Sequence, residues 1–580
     1  MVATRTGTQR PPIMGKTHAV SSGHYLASAA GNRILEQGGN ATDAGVAAGI
    51  AINTLLPDMT SFGGVAPIMI YEKAGKSIST LSGLGRWPKS ASAEHFIDNR
   101  GGNIPIGVER IVTPAAAGAW LTALEEHGTM TFEQVVTPAL ELARDGFPMH
   151  FTGAKSLELL EEELALWPSS AEIFAPNGQT IQFGEVLVQS ALAHTFERLI
   201  EVEKSASGRG REGALAATRE FFYTGEIAQK IVDFVQEEGG FLSMDDMADF
   251  KIGHESPVVG DFNEYEVYAC GPWTQGPMLS QAVQTLQNDD LAAMGHNTPD
   301  YIHLIVESLD LAFADRDAFF GDPNMVDVPL RGLLSSEYTA ERRQQLDMNA
   351  SFTRMPNAGD PWKFEGRSAP ADYAYQRPEP IAAGTEPDTS YVCVVDRWGN
   401  AFSATPSDTL SMAPVVPGLG FTPSGRGSQN WLVDGHPARL EPGKRPRLTP
   451  NPAIALKDGE LMMPFGTPGG DAQPQTMLQV FLNIAAFGMN AQEAIEAPRF
   501  QSLNYPNSFW PHNYPEGTLR LEGLIGEEVG GVLASRGHKV EWIQPRDAGT
   551  GAACAITVDH DNGTLTAGAD IRRESYAIGR

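Results

Sequence analysis

The polarity pattern over residues 391–405 predicts a β-hairpin. Residues 391–395, Tyr-Val-Cys-Val-Val, are an unbroken aromatic and β-branched run, the composition of a strand buried on both faces. Gly399-Asn400 supplies a turn, after which polarity alternates over 401–405. Thr389 stands at the mouth of this hairpin. Earlier in the chain, Tyr25, Leu26, Ala29, Ala30, Ile34 and Leu35 recur at helical spacing within 24–37, and Gly38-Gly39 marks the stop. Residues 44–51 are so rich in alanine and glycine that a helix there must let another element approach closely, as a central core helix does. Gly63-Gly64 leads into a buried strand over 65–71, residues 80–85 end another strand, and 110–118 run into a helix over 119–126.

A helical pattern with an acidic face covers 155–166; no histidine accompanies its carboxylates at ligand spacing, so it reads as a solvated surface and not a metal site. A long helix over 301–319 carries Asp315, Arg316 and Asp317, which fit a structural ion network near a helix end better than a catalytic cluster. Residues 346–388 are dense in Pro, Gly, Ala and charge with little apolar periodicity, which predicts a mobile loop, and 205–211 predict another exposed loop. Further on, 461–465 read as a strand, 466–470 as a turn and 475–487 as an amphipathic helix. No internal repeat emerges.

Composition narrows the function classes. A chain of 580 residues with 42% hydrophobic and 19% charged content is an ordinary globular protein, long enough for two domains or one large layered one. A net charge of −29 opposes nucleic acid and anionic lipid. Three cysteines, Cys270, Cys393 and Cys554, make neither a disulfide framework nor a thiolate metal site, and no cofactor or metal is expected. The polar opening 1–16 lacks the apolar core of a signal peptide, and no segment has the length of a membrane span, so a cytoplasmic protein is expected.

Asp388-Thr389-Ser390 leaves two readings open. Thr389 is a β-former whose hydroxyl tidies a loop amide, or it is a nucleophile exposed by backbone cleavage, its new α-amine serving as the base for its own hydroxyl. An α-amine has a pKa of about 8, so at neutral pH enough is unprotonated to accept that proton. Gly469-Gly470 also carries two readings. It is a tight strand-to-helix turn, or an oxyanion hole in which adjacent N–H groups converge and the following helix adds positive potential.

Three motifs bear on the choice: Glu441-Pro442-Gly443-Lys444-Arg445-Pro446, Phe465-Gly466-Thr467-Pro468-Gly469-Gly470-Asp471-Ala472-Gln473-Pro474-Gln475, and Glu493-Ala494-Ile495-Glu496-Ala497-Pro498-Arg499-Phe500. With Phe222-Tyr223-Thr224-Gly225-Glu226 and Gly239-Gly240-Phe241-Leu242-Ser243 as further landmarks, the chain from about Pro12 onward resembles the gamma-glutamyltranspeptidase family of N-terminal-nucleophile hydrolases. The resemblance implies an α+β fold, a four-layer αββα sandwich of two antiparallel sheets between helical layers. It implies cleavage between Asp388 and Thr389, giving a larger subunit 1–388 and a catalytic subunit 389–580 that share one domain. It makes Thr389 the nucleophile, Ser407 a second hydroxyl in contact with it, and Gly469 and Gly470 the oxyanion hole. Where relatives often carry asparagine this chain has Thr409, and Val65 replaces a glycine or acidic residue.

The glutamate-reading positions depart from the family. The arginine that anchors an α-carboxylate is replaced by Leu84, with Arg86 two residues on; a serine pair becomes Leu448 and Thr449; and the acidic residue that holds the α-amine falls at Gln429 or Asn430. Two readings stay open for Arg86, Arg426 and Arg447: one of them anchors an acidic acyl group placed differently from glutamate, or all three bind surface carboxylates. The expected activity is amide hydrolysis through an acyl-enzyme on Thr389, with a small-molecule amide as partner and water or an amine as acceptor. Gamma-glutamyl hydrolysis or transfer, and an unprocessed non-catalytic binding protein, are the alternatives. The two processed chains would remain associated, and a homo-oligomer is compatible with the sequence.

Overall fold

The computed structural model describes residues 7–371, 373, 375 and 388–580. The hairpin lies at the centre of a seven-stranded antiparallel sheet ordered Tyr576–Gly579, Ala19–Ser22, Val392–Val395, Ala401–Ala404, Ile68–Glu72, Ser77–Leu81 and His254–Glu255. Val392 sits between Ser22 and Ala404. A second seven-stranded sheet runs Ile13–Gly15, Thr564–Ala569, Cys554–Asp559, Glu460–Gly466, Ala453–Lys457, Tyr265–Ala269 and Val258–Phe262. Both sheets combine strands from before and after Thr389.

Strand periodicity divides the core into layers. Tyr391, Cys393 and Val395 point between the sheets and meet Ile454, Leu456, Cys554 and Ile556. Val392, Val394 and Phe402 point the other way, under the helices Ala41–Leu55 and Ala116–His127. The outer face of the second sheet, with Val267, Ala455 and Phe465, packs beneath Gly276–Leu286, Pro299–Phe319 and Ala472–Ala485. The order is helix, sheet, sheet, helix, the expected αββα sandwich. The small residues of Ala41–Leu55 are explained by contact: a Cβ on Gly45 would enter the Phe402 ring, and one on Gly49 the Trp120 ring.

Several local expectations need correction. Residues 155–166 are two helices, Phe151–Leu159 and Glu161–Leu166, separated at Leu160, whose N–H is shared between the carbonyls of Ser156 and Leu157. Residues 205–211 are mostly exposed but largely helical, with Ala206 buried and the 3-10 turn Ser207–Arg209 linking Ser190–Ser205 to Gly210–Thr224. The helices expected over 119–126 and 475–487 begin earlier, as Ala116–His127 and Ala472–Ala485. Between 346 and 371 the chain packs instead of hanging free: Met355 and Trp362 are buried, Met355 N–H bonds the Tyr514 hydroxyl, and Trp362 stacks edge-on against Phe319. Of the remainder of that segment, 372, 374 and 376–387 lie outside the described residues.

Candidate active site

Thr389 is buried and pairs through its backbone with Ser407, which pairs in turn with Val65. The divergent Val65 position therefore holds Ser407 in register: Val65 N–H donates to Ser407 O at 3.3 Å and Ser407 N–H to Val65 O at 3.0 Å.

The Ser407 hydroxyl is the hub of the site. It lies 2.8 Å from Thr389 Oγ1, donates to the Asp388 carbonyl at 3.0 Å, and accepts from Arg426 Nη2. One donor and two lone pairs account for all three contacts only if the Thr389 hydroxyl donates to Ser407. The nucleophile's proton thus points at Ser407, and Ser407's own proton at the carbonyl preceding Thr389. The Asp388 side chain accepts from Thr389 N–H at 2.8 Å and from Arg573 at 2.5 Å. Burial would lower the Arg573 pKa, but Asp388 outweighs it and the value is raised.

Asp408, next in the chain, is buried with φ at 105°, a left-handed conformation uncommon for any residue but glycine. Its carboxylate fixes it there, accepting from Ser424 Oγ at 2.8 Å and Gly425 N–H at 3.1 Å and lying 3.3 Å from Arg426 Nε. Burial pushes the Asp408 pKa up and the Arg426 pKa down, and the mutual attraction offsets this only in part. Arg426 Nη1 makes two long contacts, 3.4 Å to Gln429 Oε1 and 3.5 Å to Thr449 Oγ1, while Gln429 Nε2 donates to Thr449 Oγ1 at 3.0 Å. Arg426, Gln429 and Thr449 therefore form one buried polar wall beside Ser407. Thr409 points to Ser411.

The Gly469-Gly470 turn begins close to the hairpin: a Cβ on Gly466 would strike the Tyr391 ring. Both glycines have positive φ, 113° and 54°, as a turn that exposes successive N–H groups requires. Gln275 Nε2 bonds Gly470 O at 3.3 Å, and Gln275 Oε1 accepts from Arg316 at 2.9 Å. Arg316 in turn pairs with Asp471 at 2.6 Å, and Asp471 accepts from Ser508 N–H and Oγ. The ion network expected at 315–317 is present, and it reaches the residue that follows the glycine pair.

The remaining candidates separate. Leu84 and Leu448 are buried in the apolar cluster between the sheets, with Leu448 N–H on Trp273 O at 2.7 Å. Asn430 is turned to Trp87 Nε1 and Ala438 O. The Arg86 side chain is exposed. Arg447 is buried and donates to Ser508 Oγ at 3.1 Å; burial and neighbouring Arg316 bring its pKa down to about 9. Asp408, Arg316, Asp471, Ser508 and Arg573 belong to the site's framework, and the residue pattern singles out none of them as functional. The one available signal was position: Asp408 and Asp471 directly follow candidate residues.

The family described as Gamma-glutamyltranspeptidase matches residues 27–580. A glutathione hydrolase proenzyme of Bacillus subtilis (strain 168) is 31% identical over 575 residues, covering 98% of this chain and 92% of the relative. The acylase ACY 1 proenzyme of Pseudomonas sp. (strain SE83) is 30% identical over 590 residues, covering 98% and 95%. The crystal structure of cephalosporin acylase from Bacillus halodurans superposes with a TM-score of 0.85 at 26% identity, covering 100% of this chain and 99% of that one.

Proposed function

Because the chain belongs to the gamma-glutamyltranspeptidase family and is thereby an amide-cleaving enzyme, we propose that Thr389 is its nucleophile, freed by scission of the Asp388–Thr389 bond, and that the processed enzyme hydrolyses amides of acidic acyl groups. The observation that carries this reading is the Ser407 hydroxyl, which touches Thr389 Oγ1 and the Asp388 carbonyl at once. Thr389 Oγ1 attacks the Asp388 carbonyl carbon, and Ser407 steadies the oxyanion. The amide nitrogen takes a proton as the C–N bond breaks, leaving an ester and a free α-amine. Water then hydrolyses the ester, releasing the Asp388 carboxylate and restoring the Thr389 hydroxyl.

In the processed enzyme the α-amine takes the hydroxyl proton, Oγ1 attacks the substrate carbonyl, and the Gly469 and Gly470 N–H groups receive the oxyanion. The amine leaves with the proton and water resolves the acyl-enzyme. Arg426 is the arginine that reads the acyl group, since of the three candidates it alone touches Ser407. Leu84 and Leu448 are packed into the apolar cluster between the sheets, so neither position supplies a polar partner for a glutamyl α-carboxylate.

Mass spectrometry and a substrate panel test this. Active wild type should give two chains, the smaller beginning at Thr389. Thr389→Ala should stay intact and inert, and Thr389→Ser should retain part of both activities. An active protein with an unbroken Asp388–Thr389 peptide would end the proposal. Amides of simple dicarboxylic acids should be turned over faster than glutathione.

A further inference from the structure

The outer helical layer holds a second polar cluster that this reaction does not use. His303 and Glu307 stand one turn apart on Pro299–Phe319 and share a face. His538, from the turn between Glu527–Ser535 and Lys539–Ile543, meets them, and all three are buried. One ligand atom from each lies within 4.8 Å of the other two. His303 Nδ1 is 2.8 Å from His538 Nε2, which is 3.9 Å from Glu307 Oε1.

The surroundings orient these atoms. His303 Nε2 is 2.9 Å from the Asp347 carbonyl, which only an N–H can satisfy, so His303 presents the Nδ1 lone pair to the cluster. A backbone carbonyl on the far ring nitrogen is how metal-bound imidazoles are commonly held. Glu307 Oε2 accepts from Phe352 N–H at 2.8 Å, but Oε1 is buried with no hydrogen-bond partner among the described residues. Asp310, one turn on, is committed to Ser502 Oγ and Asn504 Nδ2, and Arg536 is paired with Asp300. Among the described residues nothing else donates a hydrogen bond to Glu307 Oε1.

We propose that His303, Glu307 and His538 form a site for one divalent transition-metal ion of the zinc class, two imidazoles and one carboxylate filling three positions and leaving the fourth open. Two imidazoles and a carboxylate are an established zinc donor set, and ligands about 2.0–2.1 Å from a tetrahedral ion stand roughly 3.4 Å apart. That separation falls between the 2.8 and 3.9 Å found here, and the third pair, His303 and Glu307, lies within 4.8 Å. Without an ion the 2.8 Å contact serves as an imidazole–imidazole hydrogen bond. The ion would tie the helix to the turn before Lys539–Ile543, and so join chain on either side of Thr389.

The test uses the full-length protein, stripped with EDTA and offered Zn²⁺ or Co²⁺ alone. Mass spectrometry of the desalted protein should find about one zinc per chain, and Co²⁺ should give the visible absorption of a four-coordinate site. His538→Gln, at the edge of the cluster, and Glu307→Gln should each weaken Zn²⁺ by more than about 100-fold in competition with a chromophoric chelator. His194→Gln, exposed and remote in sequence, should not. Wild type holding less than about a tenth of an equivalent, or variants that bind like wild type, would overturn the proposal. If both variants fold poorly, the wild-type stoichiometry and the Co²⁺ spectrum decide.

Discussion

Arg572 and Arg426 are both buried, both face carboxylates and both lie in the part of the chain after Thr389, yet they are wired differently. Arg572 grips Glu522 with Nε and Nη2, each at 2.8 Å, and spends its other N–H groups on Asp570, Ile495 O and Ala497 O. Burial would lower its pKa, but Asp570 and Glu522 outweigh burial and raise it. Arg426 makes one firm contact, to Ser407, and its Nε and Nη1 groups have only distant partners. Burial wins there and its pKa falls. A guanidinium with every donor spent holds a fold together. One with donors in reserve, next to a nucleophile, is a place where a substrate's oxygens can pay the desolvation cost.

The largest expected effect breaks the saturated member. Glu522→Gln leaves Arg572 buried without its bidentate partner, and removing one side of a buried pair costs about 3–5 kcal/mol. Chemical denaturation should show that loss, while turnover per folded molecule stays near wild type. An equal stability loss from Arg426→Lys would erase the distinction between the two arginines.

Arg426→Lys should act on catalysis. The charge beside Asp408 is kept and the fork is lost, so folding is largely retained, but kcat/KM for amides of dicarboxylic acids should fall about 100-fold. Amides of uncharged acyl groups should lose less, and the processed fraction must be measured separately because Arg426 also touches Ser407. Equal losses on both substrate classes would move Arg426 from substrate reading to support of Ser407.

How much of this was legible in the sequence depends on distance along the chain. The hairpin, the core helix Ala41–Leu55 and the strand–turn–helix at 461–485 were readable because period-2 alternation, small-residue runs and glycine pairs are local signals. The link from Arg316 to Asp471 spans 155 residues, and that from Arg573 to Asp388 has no local trace. Composition misled at 205–211, where glycines and serines read as a loop but two flanking helices impose helical geometry. It misled again at 346–371, where two residues, Met355 and Trp362, anchor a segment that has no periodicity. The pairing of His303 with Glu307 carries no signal of its own in the sequence, because it gains meaning only when His538 arrives from elsewhere.

The smallest effect sharpens the comparison through pH. Asp570, in the saturated cluster, has its pKa lowered: burial raises it, but Arg499 and Arg572 more than compensate. Asp408, beside Arg426, has its pKa raised, burial outweighing Arg426 and the hydrogen bonds from Ser424 and Gly425. Linkage then gives the two carboxylates opposite signs. Asp570 contributes stability that is present above its unfolded pKa, about 4, and is lost as pH falls through the lower folded value. Asp408 binds its proton more tightly folded than unfolded, so its contribution is full below that same unfolded pKa and is lost as pH rises through the folded value. Melting temperatures from pH 3 to pH 8 for wild type, Asp570→Asn and Asp408→Asn should separate the two. The deficit of Asp570→Asn should shrink as the solution is acidified, and that of Asp408→Asn should shrink as it is made more alkaline. Parallel curves would mean that Arg426 holds its carboxylate as firmly as Arg572 does, and the reserve assigned to Arg426 would have no physical basis.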